Sequence, residues 1–175
     1  EAFSDQGACA SHGHSICAKG AGAFPQLYPC PNVEVDAYTV FTNKPVAGAM
    51  RGYGIPQAMW AVESHTEDVC AAIKADPLEF RRKNLMPVGY VDGFSKNENY
   101  FDSFNQCLDK AMKAIDYEKK VKEYQNQTGD IRRGIGMAVF WYNTAVWPIS
   151  LESSSCRMVL NQDGSFQLQV GETET

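Results

Sequence analysis

The chain contains no uninterrupted apolar run of about 18 residues, the length that a helix needs to cross a bilayer. It has no excess of basic residues either, because 16 lysines and arginines stand against 21 aspartates and glutamates, for a net charge of −5. This balance argues against a nucleic-acid partner, which would require a basic surface. There is no internal repeat and no low-complexity segment. With 44% hydrophobic residues among 175, the chain is predicted to form a single domain over 1–175 with its own core, with no membrane partner.

The six cysteines show no regular framework. Apart from Cys9 and Cys17 they are widely spaced, and no four-cysteine spacing typical of an iron–sulfur site is present. The pattern favours free thiols in a reducing cytoplasm over a set of disulfides, so we expect a cytoplasmic protein. No glycine fingerprint for a nicotinamide cofactor occurs either.

Residues 9–17, C-A-S-H-G-H-S-I-C, bring Cys9, His12, His14 and Cys17 close together in sequence. These are the residue types that zinc prefers, but closed zinc sites usually use two ligand pairs separated by about a dozen residues or more. If residues 11–20 are helical, the two histidines point about 200° apart. We therefore expect no metal site here. The cysteines are predicted to be small buried residues, and the histidines to make local hydrogen bonds.

Hydrophobic periodicity predicts an α+β fold in which helices and strands are interspersed. Helices are expected near 11–20, from Pro56 onward, and over 77–85, 103–115 and 117–126. A strand end is expected before the first helix, strands over 33–42 and 134–142, and a hairpin over 156–170 with Asp-Gly in its turn. Residues 25–31, which hold three prolines, and residues 86–102 are predicted to be irregular.

Residues 46–57, V-A-G-A-M-R-G-Y-G-I-P-Q, predict a strand, a sharp turn and a helix start. Gly52 and Gly54 have no Cβ, so a ligand can lie against the backbone. Tyr53 between them could stack on a planar substrate. Taken alone, the pattern favours a simpler interpretation, a packed turn with a core tyrosine, because a short glycine motif is weak support for a site.

The same stretch resembles the molybdenum-cofactor subunit of the xanthine dehydrogenase and aldehyde oxidase family. The family signature, (A/S)-G-A-(F/M)-R-G-(F/Y)-G-x-P-Q, matches residues 47–57. D-P-L-E-F-R-R-K-N-L at 76–85 and Q-V-G-E-T-E-T at 169–175 resemble two further family segments, and residues 5–19 are similar to the bacterial purine-type enzymes. The resemblance runs along the whole chain and implies a fragment of the molybdopterin-binding region, an internal piece of a larger subunit.

The resemblance also implies roles for four residues. Arg51 matches an arginine whose backbone approaches the molybdenum centre, and we expect Arg51 and Gly52 to bind the cofactor. Tyr53 matches the aromatic residue that stacks on a heterocyclic substrate. Lys19 falls where purine-oxidising relatives carry a substrate-binding arginine. A lysine keeps the charge of that arginine but not its bidentate fork.

Members of this family hydroxylate an electron-poor carbon with oxygen taken from water. We therefore expect part of an enzyme that oxidises a purine such as xanthine or hypoxanthine. The resemblance implies molybdopterin with molybdenum in the full subunit, and an iron–sulfur cluster and FAD on partner subunits or domains. A hydroxylase for nicotinate, another N-heterocycle or an aldehyde is an alternative. A non-catalytic scaffold or docking module is another.

The resemblance places the catalytic glutamate beyond residue 175, so we expect no catalytic residue within the chain. The isolated 175 residues are expected neither to hold molybdopterin tightly nor to turn over. His65 is predicted to lie on a helix surface or between helices, and the aromatic residues Phe140, Trp141, Tyr142 and Trp147 are predicted to lie in the core. Glu172 and Glu174 suit a cofactor loop and an exposed strand end equally well.

Overall fold

The computed structural model describes residues 1–93, 96–142 and 154–171. Its elements follow in the order β1 (Ala2–Asp5), α1 (Gly13–Leu27), β2 (Ala37–Val40), α2 (Ile55–Ile73), α3 (Pro77–Asn84), α4 (Ser103–Ala114), α5 (Tyr117–Tyr124), β3 (Cys156–Leu160) and β4 (Phe166–Val170). Helices and strands are interspersed, so the predicted α+β class is confirmed.

The strands of the described residues form two separate pairs. β1 and β2 run parallel, with Ala2 opposite Ala37 and Asp5 opposite Val40. The strand predicted over 33–42 is therefore shorter than expected, because β1 offers only four residues to pair with. The alternating valines at 33 and 35 remain exposed and bury no face.

The first helix is longer than the sequence predicts, since α1 runs from Gly13 to Leu27 and includes Pro25. The prediction of irregular structure from residue 25 is wrong for this last turn. Proline costs a helix one N–H donor, but Ala23 and Leu27 are almost fully buried in the core, and that burial favours continuation. The Leu27 carbonyl also accepts a hydrogen bond from the Met86 N–H at 3.1 Å.

The remaining helices agree with the sequence predictions to within a residue or two. α2 begins at Ile55 with Pro56 in its first turn, and His65 is exposed on its surface as predicted. α3 is capped by Asp76, whose Oδ1 accepts hydrogen bonds from the N–H groups of Leu78 and Glu79, both at 2.9 Å. This capping satisfies two of the helix's otherwise unpaired donors.

Residues 134–142 form no strand, which corrects the prediction. The Val139 N–H donates to the Glu63 carboxylate at 2.8 Å, and the Met137 carbonyl accepts from Arg81 at 3.4 Å. Side chains of α2 and α3 thus take the place of a neighbouring strand. The predicted core location is wrong for Phe140, which is 75% exposed.

The other aromatic residues of that run behave differently. Trp141 packs partly buried against the core, as predicted, whereas Tyr142 keeps 39% of its surface exposed. The polar hydroxyl of Tyr142 bonds to a lysine rather than entering the core. Trp147 lies outside the described residues, as do Glu172 and Glu174.

The predicted hairpin is confirmed, with β3 and β4 antiparallel and Met158 opposite Leu168. Its turn spans four residues, Asn161 to Gly164. The Gly164 N–H donates to the Asn161 carbonyl at 3.1 Å. Gly164 adopts a positive φ of 82°, which explains the glycine at this position.

One cluster of buried side chains joins α1, α2 and α4 with the segment that holds Val139. Its members are Ala23, Leu27, Ile55, Ala58, Met59, Leu85, Met86, Phe104, Leu108 and Val139. None of the helices in the described ranges is long and apolar enough to cross a bilayer. The core holds α1 against the start of α2, the place where the glycine turn lies.

Candidate functional site

The glycine turn reverses the handedness of the backbone over three successive residues. Gly52, Tyr53 and Gly54 have φ values of 96°, 48° and 92°. Hydrogen bonds from Tyr53 N–H to Met50 O (2.7 Å) and from Ile55 N–H to Gly52 O (3.0 Å) fix this shape. A tyrosine in the left-handed region carries backbone strain, and such strain is typical of functional sites.

Two glycines let α1 approach this turn closely. A Cβ on Gly20 would lie 3.1 Å from the Gly54 carbonyl oxygen, and a Cβ on Gly54 would lie 2.4 Å from the Ile16 carbonyl oxygen. The second distance is far too short for any side chain. The close approach brings Lys19, which precedes Gly20 on α1, next to Tyr53.

The two residues predicted to bind substrate are thus neighbours. The Lys19 Nζ lies 5.8 Å from the centre of the Tyr53 ring. Tyr142 completes the group, because Lys19 Nζ lies 4.7 Å from the centre of its ring and donates to its hydroxyl at 3.1 Å. A positive charge close to two aromatic rings suits a flat substrate that carries negative charge.

Sequence reasoning missed Tyr142 as part of this group. Its only signal was a tyrosine at the end of a hydrophobic segment, where a phenol can leave the core for a polar partner. The contact to Lys19 spans 123 positions of sequence, which no local pattern reveals.

His12 touches the same group from the start of α1. Its Nδ1 lies 2.8 Å from the Tyr53 hydroxyl, and the two rings meet edge to face with centres 6.0 Å apart. His12 thus makes a hydrogen bond, but its partner lies 41 positions away, so the bond is not local in sequence as predicted. Cys17 is buried as predicted, but Cys9 is exposed, and it lies before the start of the helix.

Among residues 1–93, 96–142 and 154–171, no three side chains of His, Cys, Asp or Glu converge in a way that could hold a metal ion. Cys9, His12, His14 and Cys17 therefore do not assemble as a ligand set in this conformation. His12 instead faces Tyr53, and Cys17 donates weakly to the Tyr38 carbonyl at 3.7 Å.

Arg51 and Gly52, the two residues predicted to bind cofactor, line a cavity of about 590 Å³. Pro56 and the 75% exposed Trp60 of α2 line the same cavity, and so does Tyr142. Tyr142 contacts Lys19 as well, so the cavity adjoins the group formed by Lys19 and Tyr53. The structure brings all four predicted residues to one region of the molecule.

The backbone before Tyr53 has the donors that an oxygen-rich anion would need. No acceptor in the described part of the chain meets the N–H groups of residues 48–52. A Cβ on Gly48 would meet no atom within 4 Å, so the backbone there is open. With the exposed Arg51 guanidinium beside them, these donors fit a negatively charged group such as molybdopterin.

A buried ion pair anchors the cavity wall. Arg81 is fully buried, and its Nε lies 3.0 Å from Oε2 of Glu63, while its second terminal nitrogen lies 2.7 Å from Oε1 of Glu67. The Tyr28 hydroxyl donates to the other Glu63 oxygen at 2.5 Å. Burial raises the pKa of Tyr28 well above its usual range, and the Glu63 carboxylate raises it further. Glu63 thus also holds Val139 of the cavity wall.

Comparison with protein families decides the membership of this chain. A family model described as a molybdopterin cofactor-binding domain matches residues 1–85, and a second with the same description matches residues 110–175. The chain belongs to the molybdopterin cofactor-binding domains. The predicted membership is confirmed.

Relatives of this chain include subunits of enzymes that are named for different substrates. The chain is 40% identical over 99% of its length to the xanthine dehydrogenase molybdenum-binding subunit of Escherichia coli O157:H7, of which it spans 23%. It is 33% identical over 68% of its length to the nicotinate dehydrogenase large molybdopterin subunit of Eubacterium barkeri, of which it spans 29%. The chain thus spans about a quarter of the length of these relatives.

A solved structure has the same fold. The aldehyde oxidoreductase from Desulfovibrio desulfuricans superposes with a TM-score of 0.79 at 28% identity, and the match covers 95% of this chain and 18% of the other. The α+β arrangement of the molybdopterin cofactor-binding domains described here is thus found within a larger enzyme chain.

Proposed function

We propose that the chain forms the substrate-facing part of a molybdenum hydroxylase that oxidises a purine such as xanthine or hypoxanthine. The observation that carries this proposal is the Lys19 ammonium, 5.8 Å from the centre of the Tyr53 ring and beside the glycine turn. A purine is flat enough to stack on Tyr53 and develops negative charge that Lys19 would stabilise.

The proposed division of roles follows the geometry. Tyr53 would orient the ring of the substrate, and Lys19 would donate to its developing anion. The open N–H groups of residues 48–52 and the Arg51 guanidinium would hold the molybdopterin cofactor. When bound, the cofactor supplies the oxygen-transfer and two-electron chemistry of hydroxylation.

The proposal also covers the domain organisation, the partners and the location of the chain. Residues 1–175 would act as one domain. The contact between Lys19 and Tyr142 supports this, because it joins the two matched segments. Electrons would leave through an iron–sulfur cluster and FAD on partner subunits or domains. All six cysteines are unpaired, which supports a cytoplasmic location.

Nicotinate is the second candidate substrate. The similarity to a nicotinate dehydrogenase subunit favours it, and its carboxylate would pair with Lys19 as well as a purine anion would. An aldehyde has less need of the cation, so the Lys19 and Tyr53 pair favours either N-heterocycle over it.

Steady-state kinetics of the assembled, cofactor-loaded enzyme test the proposal. We expect kcat/KM to be highest for xanthine or hypoxanthine, lower for nicotinate and lowest for benzaldehyde. Lys19→Met should lower kcat/KM for the purines by about tenfold or more, since a charge-assisted hydrogen bond is lost. An enzyme that oxidises benzaldehyde but none of the N-heterocycles would contradict the proposal.

The isolated chain offers a separate test. We predict that the 175 residues, purified alone, contain far less than one molybdenum per chain by elemental analysis and do not oxidise xanthine. Stoichiometric molybdenum would show instead that this segment holds the cofactor without the rest of its subunit.

A further inference from the structure

We propose that Tyr142 is a positioning residue that holds the Lys19 ammonium in place for an anionic substrate. The proposal rests on the proposed function, in which Lys19 faces the substrate. Tyr142 lies in the second matched segment, whereas Lys19 and Tyr53 lie in the first, so the substrate-facing cation is built jointly by both.

The first argument is the double contact between the two side chains. The Tyr142 hydroxyl accepts a hydrogen bond from Lys19 Nζ at 3.1 Å, and the ring centre lies 4.7 Å from the same nitrogen. The Tyr53 ring is more distant at 5.8 Å. Tyr142 is therefore the stronger of the two aromatic partners of this lysine.

The second argument is the choice of partner. Lys19 forms no salt bridge with a carboxylate in the described part of the chain. A tyrosine ring and hydroxyl attract an ammonium without neutralising its charge, so the charge stays available to a ligand. Because an ammonium has three donors, one bond to Tyr142 leaves two for a substrate anion.

The third argument is the anchoring of Tyr142. Three residues earlier, the Val139 N–H donates to the buried Glu63 carboxylate at 2.8 Å, and Trp141 packs against the core. A lysine side chain is flexible by itself, with four rotatable bonds. Its contact to an anchored tyrosine would reduce the entropy that it loses on binding an anion.

Two readouts on three variants test this assignment. In the 175-residue chain with ¹³C-labelled lysine, the ε-protons of Lys19 should show a ring-current shift caused by Tyr142. Tyr142→Leu should move them toward the position of a free lysine, and Tyr142→Phe should leave most of the shift. Tyr100→Leu, at a tyrosine that is 66% exposed, is the matched control and should change nothing.

In the assembled, cofactor-loaded enzyme, Tyr142→Leu should raise KM for xanthine and for nicotinate by roughly two- to fivefold, with a smaller change in kcat. KM for neutral benzaldehyde should not change. Unchanged Lys19 resonances in Tyr142→Leu would overturn the contact, and an equal rise of KM for benzaldehyde would overturn the positioning role. If the enzyme oxidises nicotinate but not xanthine, and Tyr142→Leu raises KM for nicotinate, the purine proposal is refuted and the role of Tyr142 stands.

Discussion

Nε of Arg81 lies 3.0 Å from Oε2 of Glu63 in the interior of the protein, with the arginine side chain fully out of contact with solvent. The carbonyls of Pro77 and Met137 accept from the remaining guanidinium nitrogens. Removal of only one partner of such a buried pair strongly destabilises the folded protein, because the other charge stays buried without compensation.

Arg81→Met should therefore lower the free energy of unfolding by about 3–5 kcal/mol in urea denaturation of the chain. Glu67→Gln is the matched control, since Glu67 also contacts Arg81 but has a side chain that is 48% exposed. That control should cost about 1 kcal/mol or less. If both variants lose the same free energy of unfolding, the buried pair of Arg81 and Glu63 stabilises the fold no more than the exposed contact to Glu67 does.

Tyr28 should make stability fall at alkaline pH. Its pKa in the folded chain is raised above the ordinary value of 10.0, chiefly by burial and then by the Glu63 carboxylate. The unfolded tyrosine loses its proton first, so the free energy of unfolding decreases as pH rises above about 10. Tyr28→Phe should destabilise the chain at pH 7 by about 1–2 kcal/mol, a difference that shrinks above pH 10. A pH-independent difference would contradict this linkage.

Asp5 should make stability fall at acid pH, whereas Tyr28 makes it fall at alkaline pH. The Thr42 hydroxyl, the Gly7 N–H and Lys44 lower the pKa of its carboxylate from 3.8 to about 2. Its contribution is complete above the ordinary pKa and is lost as pH falls from about 4 to 2. Thermal melts of Asp5→Asn should show a lower Tm at pH 6 and a smaller deficit at pH 2.5. Asp130→Asn, at an exposed position, should show no such trend.

Gly54→Ala should be among the more damaging single changes in the glycine turn. Gly54 has a φ of 92°, and a Cβ there would lie 2.4 Å from the Ile16 carbonyl oxygen. We expect a loss of more than about 2 kcal/mol in the free energy of unfolding, from strain and from separation of α1 from the turn. Gly48→Ala meets open space and should cost well under about 1 kcal/mol. A tolerated Gly54→Ala would mean that the close packing of α1 is not required.

Local chemistry made most of the helices predictable. Asp76 followed by Pro77 marks the start of α3, and Pro56 marks the first turn of α2. Pro25 misled the prediction because the burial of Leu27, two residues further on, favours continuation of the helix, and a local proline signal does not report that burial. Segment 134–142 failed for a related reason, since the partner of Val139 is a carboxylate rather than another strand.

The candidate site was predictable in part. Lys19 and Tyr53 were assigned through resemblance, and their proximity follows from glycines at 20 and 54 that permit close packing. Tyr142 could not be found, because its partner lies 123 positions away. Contacts between distant segments depend on how the core folds, which periodicity does not specify.

The Val139 amide proton, which is donated to Glu63, can report on the stability of the cavity wall. An amide that donates to a buried carboxylate exchanges with solvent only when that local structure opens. Its hydrogen-exchange rate should therefore follow the opening of the contact between α2 and the segment that carries Tyr142. Slow exchange would mean that the segment which carries Tyr142, the partner of Lys19, is stably attached to α2. Fast exchange would mean that this segment often detaches, so that Tyr142 often loses its contact with Lys19.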